Sequence, residues 1–142
     1  GYSAADITAE LEKHRKRAFG YVMLDALDHI VRGGRLSKAQ GIVGSILQIK
    51  PVLTITPEGT VEVGEKVRTT KKALQSMIDK AREQNIDFSK ETVAVAHSDA
   101  GDLFYEFVDM VTEQLRPKQI IQGLVGPTIG THAGPGAVGL FF

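Results

Sequence analysis

The apolar positions of this chain change period along its length, and the changes mark its elements. After Ser3, a natural N-cap with Asp6 in the first turn, Ile7, Leu11 and Ala18 share one helical face. Phe19–Leu24 is apolar and β-prone and reads as a short strand. A second helix over Asp25–Arg32 offers Leu27, Ile30 and Val31 to a core and ends at Gly33-Gly34. Ser37 then caps a third helix bearing Ile42, Val43, Ile46 and Leu47 around Gly41 and Gly44, which closes before Pro51.

Val52–Ile55, a Pro57-Glu58-Gly59 turn and Val61–Val63 predict a β-hairpin, with Gly64 marking a bulge. Thr69 or Thr70 caps a fourth helix, in which Leu74, Met77, Ile78 and Ala81 recur at i, i+3, i+4 and i+7. Thr92–Ala96 suits a strand buried on both faces. Asp99 is expected to cap a fifth helix with Phe104, Phe107, Val108, Val111 and Leu115 as its core stripe, stopped by Pro117. Ile120–Val125 and Val138–Phe142 are the last strands, joined by a Gly-rich turn. This order predicts a single α/β (α+β) domain over residues 1–142, a mixed β-sheet with flanking helices.

Composition narrows the function. Lysine and arginine total 17, as do aspartate and glutamate, so no net field draws the chain to nucleic acid or anionic lipid. The basic cluster His14–Arg17 has acidic residues interleaved and reads as a solvated helix face. There is no cysteine, which fits a cytoplasmic protein. No apolar run approaches the ~20 residues that span a membrane, and no signal-peptide pattern opens the chain. A start without Met and an apolar Leu140-Phe141-Phe142 ending read as a piece of a longer protein.

The chemistry is sparse. His97-Ser98-Asp99 holds the residue types of a hydrolase triad, but three consecutive side chains diverge and cannot form a relay. His14, His29, His97 and His132 lack metal-ligand spacing, so no metal is expected. There is no Walker loop or dinucleotide fingerprint, and no cofactor is implied. Two features remain. Arg35 follows a Gly-Gly hinge directly before a helix, where a guanidinium can meet a carboxylate or phosphate or be an ordinary surface charge. Arg32 and Lys38 could share that role but fit helix surfaces better. The stretch Gly126–Phe142 places five glycines and two prolines around Thr131-His132; successive N–H groups in such a loop can cradle an anion, or the loop can simply be a turn.

Taken together, five segments resemble one family. Leu27–Ser37 (LDHIVRGGRLS), Gly44–Leu53 (GSILQIKPVL), Glu65–Thr69 (EKVRT), Ala94–His97 (AVAH) and Gly126–Gly139 (GPTIGTHAGPGAVG) follow, in order, signatures of the bacterial DegV family. What this resemblance implies is a non-catalytic carrier that buries a long-chain fatty acid and presents its carboxylate to a fatty acid kinase for acyl phosphate formation. Carried over by motif, Arg35, Thr131, His132, Gly134 and Gly136 would lie at the head group. Ile42, Ile46 and Leu47 become candidates for the acyl-tunnel wall, or are ordinary core. Family members have two domains, so the chain would be the C-terminal one, with an N-terminal partner domain completing the site and apolar surface facing it. Two other classes stay open: a regulatory or scaffold domain that binds another anionic small molecule or a protein, and an enzyme half whose catalytic groups lie in the other domain.

Overall fold

The computed structural model describes residues 1–35 and 49–142. The expected third helix, with Ile42, Ile46 and Leu47, lies outside them. Among the described residues six strands form one sheet: β1 (Gly20–Met23), β2 (Lys50–Ile55), β3 (Val61–Val67), β4 (Thr92–Ser98), β5 (Gln119–Leu124) and β6 (Ala137–Phe141), in the spatial order β3-β2-β1-β6-β4-β5. Only the β4–β5 pair is parallel, and the other pairs are antiparallel, so the sheet is mixed. At the β2–β3 hairpin Val52 pairs with Glu65 and Leu53 with Val63, leaving Gly64 as the bulged residue the sequence predicts.

Among the described residues five α-helices accompany the sheet: α1 (Ala4–His14), α2 (Asp28–Arg32), α3 (Thr70–Glu83), α4 (Asp102–Leu115) and α5 (Pro127–Ala133). Helices α3 and α4 cover one face. Their stripes, Leu74, Met77, Ile78 and Ala81 on α3 and Phe104, Phe107, Val108 and Val111 on α4, close over Tyr21, Met23, Val52, Val93, Val95, Val138 and Leu140. This is the main core, and truncating a side chain such as Phe107 there costs about 3–5 kcal/mol. Gln75 and Gln114 exchange side-chain hydrogen bonds of 3.1 and 3.0 Å and fasten α3 to α4. On the opposite face Leu24, Leu27, Ile30, Leu53 and Ala137 form a second, smaller cluster.

Several expectations change. The first helix ends at His14, so Ala18 is not on it; a capping box between Ser3 and Asp6 starts it, yet Ile7 and Leu11 stay 49% and 63% exposed. The second helix starts at Asp28 rather than Asp25. Strand β4 is buried on one face only, since Thr92 is exposed and Ala94 and Ala96 half-buried among the described residues. Asp99 does not cap α4. It sits at φ 47°, Gly101 is the N-cap, and the Ala100 N–H donates to His97 Nδ1 at 3.2 Å. The Gly-rich turn contains a helix: Gly126 precedes Pro127 at the first position of α5, where the missing N–H is no loss.

Candidate functional site

The two loops that the sequence singles out meet in space. Helix α2 packs against α5, and the contact is a pair of histidine-on-glycine stacks. The ring of His132, on α5, lies against Gly33 at the end of α2. The ring of His29, on α2, lies against Gly134 just after α5; a Cβ on Gly134 would stand 2.5 Å from His29 Cδ2. Each helix thus supplies the glycine on which the other's histidine rests. A side chain at either glycine would push the helices apart.

Arg35 reaches the same junction from the other side. Gly34, at φ 68°, reverses the chain after α2, and the exposed Arg35 donates from Nη1 to the Gly33 carbonyl at 2.7 Å. Arg35 and His132 therefore both touch Gly33, although 97 positions separate them in sequence. His132 Nδ1 is buried and has no hydrogen-bond partner among the described residues. An unsatisfied buried nitrogen of this kind costs about 1–3 kcal/mol and is where an added polar partner gains most.

The other candidates have plainer settings. Thr131 is exposed, and its hydroxyl donates to the carbonyls of Thr128 at 2.8 Å and Pro127 at 3.2 Å, so it is tied back onto its own helix. The Gly134 N–H donates to the Gly130 carbonyl at 2.8 Å and the Gly136 N–H to the Ser98 carbonyl at 2.6 Å. Those two amides are committed within the fold, which removes them from any anion cradle. Gly134 and Gly136, at φ 76° and 77°, instead let the chain pass close to His29 and Asp25.

Three residues of the site were not picked out from sequence. His29 seals Gly134. Asp25 lies 3.1 Å, at its Cβ, from where a Cβ on Gly136 would be, and its carboxylate is ion-paired with Lys50. That pair braces the Gly136 turn. The signals were there: His29 and Lys50 both fall inside the segments that carry the family resemblance. But nothing in their spacing says that they converge on the last loop.

From this junction β6 runs across the sheet. On the face opposite α3 and α4 it places Ala137, Gly139 and Phe141 in turn; Ala137 is buried in the smaller apolar cluster and Gly139 under the Phe141 ring and Val22, with Ser98, Ala96 and Ala94 alongside on β4 and Gly123 and Ile121 on β5. A Cβ on Gly123 would meet no described atom within 4 Å. At the far end, Phe19, Gly20, Ile55, Ala94, Ile121 and Phe141 line an open cavity of about 600 Å³. One strand therefore connects a polar junction to an apolar hollow. Among the described residues, no helix is long and apolar enough to cross a membrane.

Comparison with known proteins gives a consistent answer. The family model described as an uncharacterised protein of the DegV family matches residues 1–142, the whole chain. A DegV domain-containing protein of Caldanaerobacter subterraneus subsp. tengcongensis is 38% identical over 142 residues, which cover 100% of this chain and 50% of the relative. Among solved structures, a fatty acid binding DegV family protein of Streptococcus agalactiae matches with TM-score 0.84 and 34% identity over 99% of this chain and 50% of that one. DegV of Bacillus subtilis, described as a fatty acid binding protein, matches with TM-score 0.80 and 33% identity over 98% of this chain and 49% of that one. The chain thus spans about half the length of the relatives it matches.

Proposed function

This chain belongs to the DegV family, and from that premise we propose that it is the C-terminal half of a two-domain fatty-acid carrier. In this reading the protein holds a long-chain acid and hands its carboxylate to a fatty acid kinase, while catalysing nothing itself. The observation that carries the proposal is the course of β6, which joins the end of the sheet at the Gly33–His132–Arg35 junction to the end where the apolar cavity opens at Phe141. An amphiphile with an anionic head and a long tail has that same asymmetry.

The chemistry at each end fits. The guanidinium of Arg35 offsets the charge of a carboxylate and can present two parallel N–H donors to it. His132, whose ring lies against Gly33, adds a second polar side chain at the same end. The tail contributes about 0.8 kcal/mol for each methylene buried, so most of the affinity comes from the apolar end. The fatty-acid binding of the S. agalactiae and B. subtilis proteins, each about one-third identical to this chain, supports the ligand class.

The N-terminal half would close the site. Ile129, 62% exposed on α5, is an apolar side chain that a second domain would cover. The test is binding of a long-chain fatty acid to the two-domain protein, followed by acyl phosphate formation on adding the kinase and ATP. Affinity should rise with tail length. Equal affinity for acetate and palmitate would instead favour a domain that recognises small anions.

A further inference from the structure

We infer that α1 is the arm by which this half of the protein grips the other half; the inference rests on the two-domain reading given above. Every residue from Gly1 to Arg15 is exposed, so no residue of α1 is buried against the described part of the domain. The helix is nevertheless well specified by its own sequence. Ser3 and Asp6 close a capping box at its start, and Lys13 and His14 lie in its last turn, where the helix dipole favours positive charge. Its polar side chains pair with one another: Glu10 with Lys13 at 3.0 Å and with His14 at 2.9 Å, and Glu12 with Arg15 at 2.6 Å. What is left over is apolar. At about 100° per residue, Ala4, Ile7 and Leu11 share one narrow sector of the helix, with Ala9 on the reverse side.

A helix of 11 residues that packs on nothing is marginal in water. Ile7 and Leu11, 49% and 63% exposed, form the kind of stripe that stabilises such a helix by being covered. Two arguments choose what covers it. The first is size. The helix is about 16 Å long, and its stripe of three side chains falls far short of the roughly 800 Å² per partner that holds separate molecules together. A second copy or a free protein would not stay on it, whereas a tethered domain, at an effective concentration on the order of millimolar, would. The second is place. The chain spans about half the length of its relatives, and with the other half N-terminal, α1 is the first element of this half and the nearest to it along the chain. Consecutive elements usually pack together. Because the charges of α1 are matched within the helix, the surface it meets is an apolar groove and not a charged one.

The experiment is amide hydrogen exchange on the two-domain protein, comparing the wild type with the double variant Ile7→Gln/Leu11→Gln and with Ala9→Gln, at a low and a high protein concentration. The α1 amides should exchange about 100-fold more slowly in the wild type than in the double variant, at either concentration, and Ala9→Gln should match the wild type. Amides of α3 and α4, protected alike in all three proteins, show that the fold is intact. Unprotected α1 amides in the wild type, or protection that survives the loss of Ile7 and Leu11, overturn the inference. Protection that grows with concentration overturns it too, because the occupant is then a second copy. Palmitate binding to the same samples separates this inference from the carrier reading. Binding with α1 unprotected leaves the carrier standing without the arm; a protected α1 in a wild type that binds no palmitate supports the arm and overturns the carrier.

Discussion

The ring of His132 fills the space that a side chain on Gly33 would need. Gly33 has φ −72° and ψ −5°, a conformation open to any residue, so the backbone does not demand glycine. The histidine does. Gly33→Ala should therefore destabilise the domain by about 1–3 kcal/mol through overpacking alone. Adding His132→Ala should recover most of that loss, with a coupling of about 0.5–3 kcal/mol in a double-mutant cycle read by urea denaturation. Strictly additive losses would mean the contact carries no energy.

The mirror contact behaves differently. Gly134 combines the His29 ring with φ 76° and ψ 173°, a region that side chains rarely enter. Gly134→Ala is expected to cost about 1–3 kcal/mol from the backbone alone, and His29→Ala should restore little of it. Full rescue by His29→Ala would show that the ring, and not the backbone, dictates glycine there.

Much of this was legible in the sequence, for identifiable reasons. Helices α3 and α4 each bury a stripe at a period of 3.6, so Leu74, Met77, Phe104 and Phe107 announce both the helix and the covered face. Gly64 announces its bulge because a glycine inside a strand pattern commonly marks one. The misreadings have separate causes. Asp99 looks like a cap, but the His97 ring accepts the nearby N–H instead. Gly126–Ala133 looks like a turn because its helix buries no residue and shows no apolar stripe. At the site, motif resemblance singled out Arg35 and His132. It could not supply Gly33 as their meeting point, because His132 reaches Gly33 only by folding across 99 positions.

Stability should depend on pH through β3 and α3. Glu65 accepts from Ser76 at 2.5 Å and pairs with Lys80 at 3.0 Å; these contacts hold its carboxyl below the usual glutamate value and raise the Lys80 ammonium above the usual lysine value. The Glu65 contribution is complete above the unfolded-state pKa near ~4.3 and is lost as pH falls through the lower folded value. The Lys80 contribution is present below ~10.4 and is lost as pH rises through its higher folded value. The pair is partly exposed, so the effect is about 0.2–1 kcal/mol. Glu65→Gln should flatten both limbs of a urea-stability profile taken from pH 2 to 11; an unchanged acid limb would contradict the assignment.

Arg35 is exposed and bonded only to its local carbonyl among the described contacts, so Arg35→Ala should change stability by less than about 0.5 kcal/mol. Its effect should fall on ligand handling. Loss of one charge-assisted contact predicts about a 10- to 100-fold drop in fatty-acid affinity of the two-domain protein, with a matching loss of kinase-dependent acyl phosphate. Unaltered acyl phosphate formation in both Arg35→Ala and His132→Ala would place the polar end of the site elsewhere.

The most direct test of the carrier reading is native mass spectrometry of the two-domain protein and of residues 1–142 alone, each purified from a bacterial host. The account predicts that the two-domain protein carries added mass equal to one long-chain fatty acid, while residues 1–142, with half of the site, do not. A two-domain protein that arrives empty and still binds no added fatty acid would contradict it.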